Sequence, residues 1–397
     1  MIIGLIGADL NSSNKGCEAL AYSFLEILNS LAEKNRCEID VILVKNLPTK
    51  EWIKSGLSFE KISKLYVSKK EYSNLRFQVA FCYHTKNKVF FPHQLKNAAY
   101  VIDFTGGDSF SDIYGKERFY SRTYLKSAII KKNIPLILGN QTIGPFKDKN
   151  VEATATKVIL DCEEIFARDE MSYEYTYRIS GRYPILTTDI AFALPFERKQ
   201  KSGNLIRVGL NISGLLWDGG YTKNNQFGLK CNYQEYCRRV IVSLLNCGTY
   251  EVHLIPHAFK ENVMQDVDND LVPINILHKE YPETIVSPHF DFCIDAKSYI
   301  ASMDVFTGAR MHSTIGSFSS GVPVIPFSYS RKFEGLFDAL KYPYVVEATK
   351  WDTDTCVEKT LSWVRDYELL KENMYTGQAI IKDRLNNCIT RLEEILF

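Results

Sequence analysis

Short apolar runs alternate with stretches of helical periodicity along most of this chain. Residues 2–6 (IIGLI) carry no polar position, the signature of a strand covered on both faces rather than one face only. Leu20, Phe24, Ile27, Leu28 and Leu31 then recur at helical spacing and predict a helix over 18–34. A second strand is predicted over 39–44, followed by a mixed helical and strand stretch to about residue 97. Further strands are predicted at 98–104 (AAYVIDF), 134–138 and 165–167. Helices are predicted between and after them at 116–132, near 151–162 and from Asp169 onward, where Asp169 and Glu170 suit the positive end of a helix dipole.

Residues 195–204 (PFERKQKSGN) are polar and charged, and make the best linker candidate. A second strand series begins beyond them. Strands are predicted at 206–211 and 250–255, the latter running into a loop with Pro256 and His257, then at 284–286, Val305-Phe306 and 322–326. Helices are predicted over 233–245 and 296–302, after Arg331, and from about Asp354 to the end. Strand–helix alternation on both sides of a linker predicts an α/β protein of two doubly wound domains facing across a cleft. Their expected limits are 1–195 and 205–375, with a helix over 376–397 packing back on the first domain.

Open α/β sheets bind ligands at the carboxyl ends of their strands, so candidate chemistry is sought there. Asp304 to Ser320 (DVFTGARMHSTIGSFSS) places Arg310 and His312 at a helix start after a strand and a Thr-Gly turn. A helix N-terminus attracts anions, and these two side chains strengthen that preference. A solvated arginine and a satisfied core histidine would give the same letters. The first loop, with Asn14, Gly16 and Glu18, follows a strand as in a nucleotide-binding half, but the G-x-G-x-x-G fingerprint is absent. Thr105-Gly106-Gly107-Asp108 ends another strand. Arg168 ends a third, where pairing with an acid of the following helix is the alternative to a ligand contact. Asp266-Val-Asp268-Asn-Asp270 opens like a calcium loop, but Leu271 and Leu277 stand where glycine and glutamate are needed. It reads as a solvated acidic helix surface.

Composition narrows the picture. Of 397 residues 45% are hydrophobic and 24% charged, ordinary for a well-cored globular protein. A formal net charge of +1 argues against a nucleic-acid partner. The 23 tyrosines and 23 phenylalanines would suit sugar faces, though most are expected in the core. The N-terminus lacks a basic n-region and reads as no signal peptide. No apolar run reaches the ~18 residues of a spanning helix. Ten cysteines without a C-x-x-C pair indicate neither a zinc site nor a disulfide framework. They are expected as reduced thiols of a cytoplasmic protein, with peripheral attachment at the inner membrane face left open.

Taken in order, NKGCEAL, TGGDSF, GNQTIGPF, ARDEMS and FTGARMHSTIGSFSSGVPVI resemble the polysaccharide pyruvyl transferase family from Asn14 to about Lys332. The resemblance implies two Rossmann-like domains in a GT-B-like arrangement. It also implies transfer of the pyruvyl group of phosphoenolpyruvate to a sugar, usually as a cyclic ketal across two hydroxyls, in capsule, exopolysaccharide and cell-wall assembly. No cofactor and no metal are implied. The implied partners are phosphoenolpyruvate and a saccharide acceptor, lipid-linked or free. Arg168 and Arg310 match the family arginines that hold the donor from the two domains. His312 matches the histidine beside Arg310, with the Met311 backbone as a further contact, and is the candidate general acid. Asn14, Gly16, Glu18, Gly107 and Asp108 become acceptor candidates of the N-terminal domain. Two departures fall there: Gly16-Cys17-Glu18 where the family commonly has Gly-Asp before its Glu, and Asp108 in place of a third glycine. A nucleotide-sugar glycosyltransferase of the same architecture, or a catalytically silent sugar-binding protein, are the alternatives.

Overall fold

The computed structural model describes residues 1–10, 12–43, 60–67, 91, 93–113, 115–198, 203–259 and 267–397. Most of the predicted mixed stretch before residue 97, and the middle of the predicted linker, lie outside them. The chain forms two compact units. One comprises Met1–Asn11, Leu20–Ala193 and Lys382–Phe397, the other Ser12–Ala19 and Leu194–Ile381.

The first unit is built on a parallel sheet of β1 (Ile2–Ile6), β2 (Ile39–Leu43), β3 (Ile62–Val67), β4 (Tyr100–Asp103), β5 (Leu136–Gln141), β6 (Glu164–Ala167) and β7 (Ile185–Leu186). Their order is β3-β2-β1-β4-β5-β6-β7, which reverses direction between β1 and β4. All six residues of β5 are buried, as a strand between two helical layers requires. The helices Lys116–Lys131, Lys149–Asp161 and Glu170–Ser180 carry local start and stop signals. The Asp148 carboxylate accepts from the amides of Asn150 and Val151, and that of Asp169 from Ser172. Gly181 ends its helix at φ 71°, the left-handed conformation open to glycine. Phe110, Phe119, Leu138 and Ile165 belong to the buried core of this unit. The last stretch of the long helix Tyr367–Leu396 is part of it too: Arg391 pairs with Glu164 at 2.8 Å, and the Tyr100 hydroxyl donates to the Ile395 carbonyl at 2.7 Å.

The second unit repeats the plan with β8 (Ile206–Asn211), β9 (Tyr250–Leu254), β10 (Ile285–Val286), β11 (Val305–Gly308), β12 (Val324–Ser328) and β13 (Val346–Glu347). Their order is β10-β9-β8-β11-β12-β13, all parallel, with the reversal between β8 and β11. Val208, Leu254, Val305 and Ile325 fill its core. The reversal opens a crevice at the strand ends. Asn211, Gly308 and the chain beyond Leu254 lie at these ends.

The first loop belongs to this second unit, although it follows β1 in sequence. Asn14 pairs with Ala258, the Lys15 amide donates to the His257 carbonyl at 2.9 Å, and Lys15 Nζ donates to the Asp291 carbonyl at 2.7 Å. These bonds remove Asn14, Gly16 and Glu18 from the N-terminal domain in which the sequence placed them. The helix also starts earlier than predicted, at Lys15 rather than residue 18.

Candidate functional site

Arg310 sits at the N-cap of the helix Met311–Ser319, directly after β11. Its amide donates to Asn211 Oδ1 at 2.9 Å, so the end of β8 fixes the end of β11. Its guanidinium is buried and makes four hydrogen bonds: Nε and Nη2 to Asp270 Oδ1 at 3.1 and 2.6 Å, Nη1 to Asp268 Oδ1 at 2.5 Å, and Nη2 to the Asp268 carbonyl at 2.9 Å. The two aspartates outweigh burial and hold the guanidinium firmly charged. This corrects the reading of the acidic run as solvated surface. Asp270 is wholly buried, and it also accepts from the amides of Gly214, His257 and Ala258 at 2.9–3.0 Å. One carboxylate thus ties together the segments after β8, β9 and β11. A charge is buried only when so paired, and forty residues of separation hid the pair from sequence reading.

His312 is half-buried two residues on. Its ring lies against Gly16, where a Cβ would stand 2.2 Å from Nδ1 and 2.7 Å from the His312 Cβ. No side chain at Gly16 but hydrogen fits. Lys15 and Glu18 flank this contact in sequence as a buried ion pair, Nζ to Oε2 at 3.1 Å. Burial pushes the Glu18 carboxyl up to about 7, and the Lys15 charge only partly offsets it. Met311, part-exposed, is the first residue of the helix, and the Arg310 side chain makes no capping bond to that start.

Sequence reading passed over His257. It is buried just beyond β9, and burial together with the charges of His312, Arg310 and Lys15 holds its pKa well below the ordinary imidazole value. The available signal was its place, three residues past the end of a strand adjacent to β8.

The first unit brings Arg168 to Gly107. The ideal Cβ of Gly107, at φ +87°, would lie 3.2 Å from Arg168 Nη1. Arg168 is buried, and Nη1 donates to Asp189 Oδ2 at 3.0 Å, whereas Asp169 stands at 3.9 Å. Its main acid therefore comes from beyond β7, not from the helix that follows it. Asp108 is half-buried at the end of the same turn, where its carbonyl accepts from the Ser111 hydroxyl at 3.2 Å. A depression of about 540 Å³ elsewhere is lined by Arg238, Arg239 and Asp354. Both arginines are bound to Glu280, Glu235 and Asp354, so it offers no comparable charge to a ligand. Among the described residues no cluster of three or more His, Cys, Asp or Glu could hold a metal, and no helix is long and apolar enough to cross a membrane.

Two Rossmann-type sheets in one chain are the architecture of the GT-B class, and solved structures carry the likeness. A putative UDP-N-acetylglucosamine 2-epimerase from Listeria monocytogenes matches 99% of this chain and 97% of its own at TM-score 0.61 and 10% identity. The UDP-GlcNAc 2-epimerase of Neisseria meningitidis, bound to UDP-GlcNAc, matches 99% and 100% at TM-score 0.60 and 14% identity. A calicheamicin glycosyltransferase matches 100% and 98% at TM-score 0.50 and 11% identity. Such identities speak to the fold alone. The family is given by sequence: the model for polysaccharide pyruvyl transferases matches residues 14–331, and the chain belongs to that family. It is accordingly a transferase of polysaccharide biosynthesis. No curated protein matches the sequence.

Proposed function

We propose that the protein transfers the pyruvyl group of phosphoenolpyruvate to a sugar, closing a ketal across two hydroxyls of a cell-surface polysaccharide or its precursor. The observation that supports this reading most is the half-buried His312 in the first turn of a helix that the Arg310 side chain does not cap, in a chain of this family. Phosphoenolpyruvate is doubly anionic, and a helix start with adjacent cations suits such a ligand. Four hydrogen bonds to Asp268 and Asp270 occupy most of the five N–H groups of Arg310. Its part is therefore to hold the helix start in place, and direct contacts fall to His312 and the backbone at Met311. Gly16 touches His312, so Asn14, Gly16 and Glu18 are assigned to the donor side. Gly107 and Asp108 stay as acceptor candidates, and Arg168 as the second donor arginine of the family.

In this reading His312 gives a proton to the methylene carbon of the donor. The alkene electrons form the new C–H bond and leave an oxocarbenium centre at the neighbouring carbon. A sugar hydroxyl adds there and loses its proton. The C–O bond to phosphate breaks, with the electron pair leaving on phosphate, and a second hydroxyl adds and loses its proton to close the ketal. The reaction needs no cofactor.

Thermal-shift titration with phosphoenolpyruvate, UDP-sugars and GDP-sugars tests the donor. A ligand at about a hundred times its Kd stabilises the folded state by roughly 2.7 kcal/mol. Phosphoenolpyruvate is expected to raise the melting temperature and the nucleotide sugars to leave it unchanged. Stabilisation by a nucleotide sugar alone would favour a glycosyltransferase.

A further inference from the structure

Two other histidines of the second unit, His253 buried and His278 half-buried, use their rings. His253 on β9 engages the Tyr299 hydroxyl at 2.8 Å and Glu251 at 2.7 Å, and His278 engages the Thr284 hydroxyl at 3.1 Å. His257, four residues beyond His253, does not. It is 5% exposed, and both ring nitrogens lack a hydrogen-bond partner among the described residues. Its backbone is nonetheless held on both sides, the amide by Asp270 and the carbonyl by the Lys15 amide, each at 2.9 Å. The ring is fixed in place and idle. A buried unpaired polar group is costly, and in native proteins it calls for an explanation such as a missing ligand.

The surroundings indicate which ligand. Arg310 and Lys15 lie near the ring, each held by carboxylates: Arg310 by Asp268 and Asp270, Lys15 by Glu18. His312 and Met311 are part-exposed in this unit, whereas Arg310 and Lys15 are buried. An apolar group here would leave the nitrogens unpaired, whereas an oxyanion accepts from an imidazole N–H. The ring is neutral, since burial above all, with the nearby Arg310 and Lys15, opposes its protonation, and a neutral imidazole still has one N–H to donate.

We propose that His257 is a donor-contacting residue, whose ring N–H hydrogen bonds an oxyanion of phosphoenolpyruvate between His312 and Lys15. This inference rests on the donor assigned above. It adds a third strand end, that of β9, to a site otherwise drawn from the first loop and β11.

The full-length protein labelled with ¹⁵N in its histidines provides the test. Long-range ¹H–¹⁵N spectra report both ring nitrogens, and His257→Gln assigns them. Phosphoenolpyruvate is expected to move the His257 nitrogen signals saturably, with the Kd that calorimetry gives. Saturable binding with these signals unmoved overturns the inference and leaves the donor reading intact, the ring then facing a buried water or a void. No binding at all overturns the donor reading and this one with it. Variants give a second readout. His257→Phe is expected to weaken binding about 10- to 100-fold, and His257→Gln, which keeps an N–H, to recover most of that loss. Equal binding by a folded His257→Phe overturns the contact. If His257→Phe does not fold, the wild-type spectra decide.

Discussion

Gly16 and His312, 296 positions apart in sequence, occupy one another's space: a Cβ on Gly16 would stand 2.2 Å from Nδ1 of the histidine and 2.7 Å from its Cβ. The second distance matters more, because rotating the ring cannot relieve it. Gly16→Ala must shift either the helix start at Met311 or the loop at Lys15. Overpacking of this kind costs about 1–3 kcal/mol. The melting temperature is expected to fall by several degrees, with turnover reduced at least about tenfold because His312 is displaced. Activity within about twofold of wild type would show that the loop yields freely.

Asp270 is the tie among three segments, and its loss is expected to be structural before it is functional. Asp270→Asn leaves the buried Arg310 guanidinium without its main counter-charge, a change that costs about 3–5 kcal/mol. Urea denaturation should show the loss in the second unit. Asp268, at 30% side-chain exposure, is expected to cost less when changed to Asn. Equal effects from the two would contradict the arrangement.

Glu18 predicts a pH dependence with a definite sign. Its folded-state pKa is raised from 4.5 to about 7, so the folded protein binds this proton more tightly than the unfolded chain. Stability from this group is fully present below about pH 4.5 and lost as pH rises to about 7. The shift corresponds to about 3 kcal/mol. Glu18→Gln should flatten the fall in unfolding free energy across that window. An unchanged slope would mean that Glu18 is ionised throughout.

Arg168 is held by Asp189, and this allows its ligand role to be separated from its structural one. Arg168→Ala is expected to raise the apparent KM for phosphoenolpyruvate about tenfold or more. Asp189→Asn weakens the same ion pair but keeps the guanidinium. It should lower the melting temperature while changing KM by less than about threefold. If both variants change KM alike, Arg168 acts only through the fold.

The two sheets were legible because parallel strands covered by helices lose their polar positions, as in residues 2–6 and 136–138, and strand ends then point to candidate residues. Partnerships across the fold were not legible. Nothing local shows that Lys15 bonds beside His257, so the first loop was placed with the strand preceding it. Asp268 and Asp270 looked like surface because acids mostly are; only the buried Arg310 makes them otherwise. Arg168 found its acid twenty-one residues on, past a short strand, rather than in the next helical turn. His257 was visible as a letter after a strand, but its idle ring is a property of three-dimensional surroundings.

Following labelled donor carbons separates pyruvyl transfer from sugar transfer. The protein is incubated with phosphoenolpyruvate labelled in its pyruvyl carbons and with the saccharide fraction of the cells that make it. Label is expected to enter the polysaccharide as an acid-labile ketal, with phosphate released in equal amount and both slowed about 10²–10⁴-fold in His312→Ala. Label remaining in phosphoenolpyruvate while sugar from a nucleotide donor enters the same fraction would contradict pyruvyl transfer.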